Sequence, residues 1–207
     1  MALRLKTLIA PGDPERLASG FRFTEGPLWH PDGYLLFSDI PANHIYRWHP
    51  ERGAEIWRED SGNSNGLTFD RKGLLIACEH GNRRFSRTNA DGSIETLASH
   101  FNGKRLNSPN DVVVKSDGSI YFTDPPYGIK PEQREQEHNG VYRLTPDGRL
   151  ELLADDFQRP NGLAFSPDER ILYVDDSAHR HVRAFDVLPD GRIANSRIIA
   201  DMDHPQP

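Results

Sequence analysis

The sequence predicts an all-β protein of the propeller type, and three observations carry that prediction. One short segment recurs: Glu25-Gly26-Pro27-Leu28-Trp29, Asn65-Gly66-Leu67-Thr68-Phe69, Asn110-Asp111-Val112-Val113-Val114 and Asn161-Gly162-Leu163-Ala164-Phe165. The openings fall at 25, 65, 110 and 161, a spacing of roughly 40 to 50 residues that suits a four-stranded blade or an armadillo-like helical repeat. Each unit is then built from short β-branched and aromatic runs at period two, with Pro31-Asp32-Gly33, Ala90-Asp91-Gly92, Ser116-Asp117-Gly118 and Pro146-Asp147-Gly148 between them. That is hairpin chemistry. No stretch sustains a period of 3.6, so the helical repeat is excluded.

Read in order, each unit supplies four strands. The opening forms the first. An apolar run ending on an acid forms the second: Leu35 to Phe37 before Asp39, Leu74 to Ala77 before Glu79, Ile120 to Phe122 before Asp124, and Ile171 to Val174 before Asp176. The third strands are expected over 45–49, 84–88, 140–144 and 182–187, and the fourth over 55–58, 94–98, 150–154 and 197–200. Trp29, Phe69 and Phe165, each four residues past an opening, are expected in the core between blades. The repeated acids are expected to serve blade-to-blade hydrogen bonding. About four blades are therefore visible, in one domain spanning 1–207. A further opening is due just where the sequence stops, so the expectation is an incomplete array whose uncovered edges favour self-association.

Composition narrows the partners. Hydrophobic residues are 36% of the chain and charged residues 27%, and the net charge is −6. An acidic balance argues against nucleic acid and against anionic membrane surfaces, both of which need a basic face. No apolar stretch reaches the ~18 residues of a membrane span. The segment from Met1 to Pro11 is too poor in apolar residues for a secretory signal. A cytoplasmic location is the resulting expectation. The single cysteine, Cys78, sits within an apolar run and is expected to be reduced and buried.

Rotational repetition gives the openings their chemical interest, because one Glu and three Asn at one register converge if the blades surround an axis. A carboxylate, amide oxygens and water form the hard shell that Ca²⁺ prefers. Two bland alternatives stand beside this reading. Asn-Gly is a turn pair, so Asn65-Gly66 and Asn161-Gly162 could serve only to reach positive φ; Glu25-Gly26 and Asn110-Asp111 fill the same register without that preference. Asp111 could cap its strand, and Asp124 lies in a Thr-Asp-Pro-Pro turn. The histidines, including His80, His138, His179 and His181, fall in polar loop sequence and are expected to be solvated. Without a Gly-x-Ser-x-Gly elbow, and with Cys78 lacking a placed base, covalent nucleophilic catalysis is disfavoured.

Taken together, Phe23-Thr24-Glu25-Gly26-Pro27 with Trp29, Asn107-Ser108-Pro109-Asn110-Asp111, Phe122-Thr123-Asp124-Pro125-Pro126-Tyr127-Gly128 and Arg159-Pro160-Asn161-Gly162 resemble the SMP-30/gluconolactonase/LRE group. The resemblance runs from about residue 15 to residue 203. It implies a six-bladed propeller type that hydrolyses sugar lactones and related esters with one divalent cation, commonly Ca²⁺ but also Zn²⁺, Mn²⁺ or Mg²⁺. By the same resemblance Glu25 and Asn161 are metal ligands, Asn110 contacts metal or substrate, and Asn65 lines the channel. The group's remaining ligand, an aspartate in the next blade opening, falls beyond Pro207, leaving Asp111 and Asp124 as candidate bases. Where some members place an arginine to hold the sugar, this chain has Ser108, with Arg105 further upstream; Arg105 and Tyr127 are the other candidate substrate contacts. The polar insertion from Lys130 to His138 is either a lid over the channel mouth or disordered. The expected activity is cation-dependent lactone hydrolysis. Phosphotriester hydrolysis in the same pocket and a non-catalytic ligand-binding propeller are the alternatives.

Overall fold

Alternating burial and short turns fold each unit into an antiparallel meander. The computed structural model describes residues 12–202; the leader reading of Met1 to Pro11 and the chain-end reading of residues 203–207 lie outside them. Blade 1 comprises β1 (Thr24–His30), β2 (Tyr34–Asp39), β3 (His44–His49) and β4 (Gly53–Arg58). Blade 2 contains β5 (Ser64–Phe69), β6 (Leu75–Glu79), β7 (Arg84–Thr88) and β8 (Ile94–Ala98). A small hairpin, β9 (His100–Phe101) and β10 (Lys104–Arg105), precedes blade 3, which holds β11 (Val112–Val114), β12 (Ile120–Asp124), β13 (Asn139–Leu144) and β14 (Leu150–Phe157). Blade 4 is β15 (Pro160–Phe165), β16 (Ile171–Asp176), β17 (His181–Val187) and β18 (Ile193–Asp201). The four sheets have simple sequential strand order. This is the four-blade propeller arrangement that the repeat predicts. The β9–β10 hairpin is an addition to it, turning on Asn102 and Gly103 at φ 49° and 80°, the conformation that an Asn-Gly hairpin turn requires.

Three apolar clusters join the blades in series. Leu36 and Ile45 meet Leu67, Leu75 and Ala77 between blades 1 and 2. Ile76, Cys78 and Phe85 meet Phe122 and Tyr142 between blades 2 and 3. Tyr121, Val141 and Phe157 meet Leu163, Leu172 and Phe185 between blades 3 and 4. Cys78 is fully buried, and burial pushes its thiol pKa well up. Among the described residues, no cluster joins blade 4 back to blade 1. The expected inter-blade aromatics behave accordingly. Phe165 packs edge-on against Tyr121 of blade 3, and Phe69 against His30 of blade 1. Trp29 does not: it is 56% exposed, because its register faces a preceding blade and the described residues supply none.

The repeated acids hold the entry to each blade. Asp39 accepts the backbone N–H groups of Arg22 and Phe23, Asp124 those of Asn107 and Ser108, and Asp176 those of Gln158 and Arg159. Each pair lies just upstream of its own blade's first strand. The expectation of blade-to-blade bonding is thus corrected: three of the acids fasten the incoming linker to their own blade. Glu79 alone reaches a neighbour, taking Arg58 of blade 1 at 3.3 Å as well as Arg84 at 2.7 Å.

Candidate active site

The openings are shaped by an interruption in the first strand of each blade. Register shifts fall between Glu25 and Leu28, between Ser64 and Leu67, and between Pro160 and Leu163; in blade 3 the ladder begins only at Val112. A bulge of this kind frees backbone and re-aims side chains. The freed groups pair across blades instead. Gly66 N–H donates to the Asn110 carbonyl at 2.8 Å, Ser38 Oγ to the Asn65 carbonyl at 2.8 Å, and Thr123 Oγ1 to the Asn161 carbonyl at 2.6 Å.

The three asparagines therefore meet where the blades converge. Asn65 Nδ2 donates to Asn110 Oδ1 at 2.5 Å, and Asn110 Nδ2 to Asn161 Oδ1 at 2.5 Å. The row ends with Asn161 Nδ2 donating to Ser177 Oγ at 3.0 Å. Asn65 and Asn110 are buried, and Asn161 is half-buried. Glu25 is half-buried at the same register, beside an apolar cavity of about 490 Å³ on the uncovered face of blade 1. That cavity, lined by Leu17, Phe21, Phe37 and Trp48 among others, is not the asparagine row, and it shares only Glu25 with the opening register.

Glycine at the openings serves close approach. Gly66 and Gly162 are not in the positive-φ region, whereas Gly26 is, at 58°. A Cβ at Gly66 would stand 2.6 Å from Asp111 Oδ1, and one at Gly162 would stand 2.8 Å from Asp175 Oδ1. These distances correct the turn-pair alternative: the two glycines make room for carboxylates. Asp111 fills the slot, its Oδ2 accepting Leu163 N–H of blade 4 at 3.1 Å and its Oδ1 accepting Val112 N–H. Burial raises its pKa, the N–H bonds oppose the rise, and the charges of Asp175 and Glu25 add to it. Asp175 is raised too, again chiefly by burial. Three carboxylates thus bear on one polar centre.

Sequence reasoning missed two members of this centre. His80, expected to be solvated, is buried, with Nε2 3.2 Å from Asn110 Oδ1 and 3.3 Å from Asn65 Nδ2. Burial lowers its pKa to about 4, so the ring is neutral at pH 7. Its cover comes from far along the chain: a Cβ at Gly128 would stand 2.8 Å from His80 Cβ. Asp175 was passed over because the acid after it, Asp176, carries the repeat. A register comparison could have found it, since Ser38, Cys78 and Thr123 occupy the same place one residue before each acid.

The other candidates lie around this centre or away from it. Asp124 is fully buried and its two oxygens take Asn107 and Ser108 N–H at 2.7 Å. Burial lifts its pKa to about 7 against those bonds, and both oxygens are engaged in anchoring the entry to blade 3. Tyr127 is 40% exposed, with the Arg159 guanidinium 5.9 Å from its ring centroid. Gly128 beside it donates to Ser108 Oγ at 3.0 Å, which puts this loop at the rim above His80. Arg105 lies on β10 and donates to the Asn82 carbonyl at 3.1 Å; it makes no hydrogen bond to the asparagine row. The segment from Lys130 to His138 is ordered. It contains a 3₁₀ turn at Pro131–Gln133 and packs on the β9–β10 hairpin, where Gln136 Nε2 donates to the carbonyls of Phe101 and Lys104.

A row of amides and carboxylates at the openings of sequential four-stranded sheets, with Asp175 added from β16, defines a β-propeller with a polar site where its blades converge. The chain belongs to the SMP-30/Gluconolactonase/LRE-like family, whose region matches residues 23–207. It is 38% identical to a gluconolactonase of Zymomonas mobilis over 84% of this chain and 54% of the relative. It is 29% identical to regucalcin of Oryctolagus cuniculus over 86% of this chain and 60% of the relative. Among solved structures, a gluconolactonase of Xanthomonas campestris superimposes with a TM-score of 0.81 at 39% identity, covering 88% of this chain and 64% of that one. The chain therefore spans between about half and two thirds of the length of these relatives.

Proposed function

We propose that the chain carries the polar centre of a cation-dependent lactonase, acting on a sugar lactone or a related cyclic ester. The observation that carries this reading is the convergence of Asn65, Asn110, Asn161 and His80 with Glu25, Asp111 and Asp175. The 38% identity to the gluconolactonase supports the substrate class.

The donor set fits a hard divalent cation. Glu25 and Asn161, with Asn110, would supply carboxylate and amide oxygens, the ligands that suit Ca²⁺, and Asp111, whose pKa is raised by burial and by the charges of Asp175 and Glu25, gains from a positive charge. The chemistry such a cation supplies is polarisation of the lactone carbonyl. Asn110 is held from both sides by Asn65 and Asn161, so its amide is oriented before any ligand arrives. His80 stays neutral and fixes the buried end of the row. Hydrolysis adds water to the carbonyl carbon, breaks the ring C–O bond and releases one proton as the hydroxy acid ionises. We assign to Asp111 the role of taking a proton from the attacking water and returning it to the departing ring oxygen, a role that its raised pKa suits by bringing it closer to the operating pH.

Asp111→Asn tests this role. It keeps the shape and the bond from Leu163 N–H, and it is expected to lower kcat by about 10² to 10⁴, with cation binding retained. Unchanged kcat on D-glucono-δ-lactone and on simple γ- and δ-lactones would remove Asp111 from the chemistry.

A further inference from the structure

The turn between the second and third strands repeats in blades 1, 2 and 4. Asp39 is the cross-strand partner of His44, Glu79 of Arg84, and Asp176 of His181. The residue before each partner is left-handed: Asn43 at φ 61°, Arg83 at 54° and Arg180 at 54°. This geometry brings the third residue after the acid, and the cross-strand partner, to the carboxylate. In blade 2 those residues are Asn82 and Arg84, which donate to Glu79 Oε2 at 2.6 Å and 2.7 Å. A guanidinium cation therefore sits against the acid. In blade 4 the same two positions are His179 and His181.

We propose that Asp176, His179 and His181 bind one divalent transition-metal cation of the Zn²⁺ class, which takes the place that the Arg84 guanidinium holds in blade 2. One ligand atom from each residue lies within 4.8 Å of the other two. His179 Nδ1 is 2.9 Å from Asp176 Oδ2, and the two imidazole rings are stacked at 5.4 Å with an interplanar angle of 21°. His181 Nε2 is buried without a hydrogen-bond partner among the described residues, an arrangement that costs free energy when nothing binds it. Blade 1 provides an internal contrast: Ala42 replaces the first histidine, and His44 Nδ1 contacts Tyr46 Oη at 3.5 Å.

The donor chemistry selects the ion. Two imidazoles and a carboxylate suit Zn²⁺, whereas Ca²⁺ and Mg²⁺ prefer oxygen shells. Tetrahedral bonds of about 2.0 to 2.1 Å put ligand atoms roughly 3.3 Å apart, so the trio needs only a small closure. His179, half exposed, is free to make it. Asp176 is pre-set for the role. Its Oδ1 accepts N–H groups from Arg159, Ala178 and His179, while Oδ2 accepts the Gln158 N–H and faces the His179 ring with its remaining lone pair. Binding replaces the contact between Oδ2 and Nδ1. His179 lines an open cavity of about 420 Å³ together with Glu137, Asp155, Asp156 and Arg134. This site shares no residue with the asparagine row, and it stands whether or not the lactonase reading does.

The test is Zn²⁺ binding to the chelator-stripped chain with excess Ca²⁺ present to occupy the opening site, measured by equilibrium dialysis and calorimetry. Wild type and Glu25→Gln are expected to bind one Zn²⁺ per chain. The double variant His179→Gln, His181→Gln is expected to bind at least about tenfold more weakly. In wild type, Zn²⁺ should shift the ring ¹⁵N resonances of two histidines. If the double variant folds poorly, His181→Arg rebuilds the blade 2 pairing, and it should keep the fold and lose the Zn²⁺. Equal Zn²⁺ affinity in wild type and either variant, or no stoichiometric binding by wild type, overturns the proposal.

Discussion

At the scale of single residues, the site depends on what fits beside Asp111. Gly66 is the clearest case, because a Cβ there would press on Asp111 Oδ1 at 2.6 Å and on the Asn110 carbonyl oxygen at 2.7 Å. Both neighbours are held by hydrogen bonds across blades, so neither can yield cheaply. Gly66→Ala is expected to cost about 1 to 3 kcal/mol, read as a lower urea midpoint with unchanged m-value, and to weaken cation binding at the same time. A neutral outcome would mean that the asparagine row is more plastic than its bonds suggest. The identities of Glu25, Asn65, Asn110 and Asn161 were legible in the sequence because repetition marked their register. His80 and Asp175 were not. The burial of His80 depends on Gly128, supplied by a loop of blade 3, and Asp175 stands next to an acid whose structural role masks it.

At the scale of elements, alternation located the strands and turn chemistry located the hairpins. The β9–β10 hairpin escaped because its strands are two residues each, too short for period two to register, although Asn102-Gly103 was a local signal for it. Burial of the acids was equally invisible, and in Glu79 it has a measurable consequence. Burial pushes its pKa up, but hydrogen bonds from Arg84, Ser86 and Asn82 outweigh that effect and leave the carboxyl below its ordinary range. A depressed folded pKa gives stability that is present above the unfolded pKa, ~4.5, and is lost as pH falls through the folded value. Glu79→Gln is accordingly expected to cost about 1.5 to 3 kcal/mol at pH 7. The gap from wild type should hold from pH 8 to pH 6 and close below about pH 4.5. A gap that stays constant into acid would show that Glu79 contributes by packing and not by charge.

At the scale of the whole molecule, three clusters bind four blades in series and leave two outer faces. Phe23, Trp29 and Leu17 are exposed around the first, while Ile198, Ile199 and Met202 are exposed at the far side of the fourth blade. Exposed apolar faces of this kind favour association, so the 207-residue chain is proposed to self-associate through them. Light scattering coupled to size-exclusion chromatography should show species larger than 23.5 kDa that shrink when Trp29 and Ile198 are replaced by Lys. A stable monomer at high concentration would contradict this. Among the described residues no helix is long and apolar enough to cross a membrane.

Convergence of the blade openings on a cation-dependent lactonase centre is tested most directly by pH-stat hydrolysis of D-glucono-δ-lactone. The chelator-treated chain is assayed with Ca²⁺ restored, and Glu25→Gln is assayed in the same way. Turnover should appear with Ca²⁺, disappear with chelator and be lost in the variant. Turnover indifferent to chelator and to Glu25→Gln, or Ca²⁺ bound without any turnover, would contradict the lactonase centre.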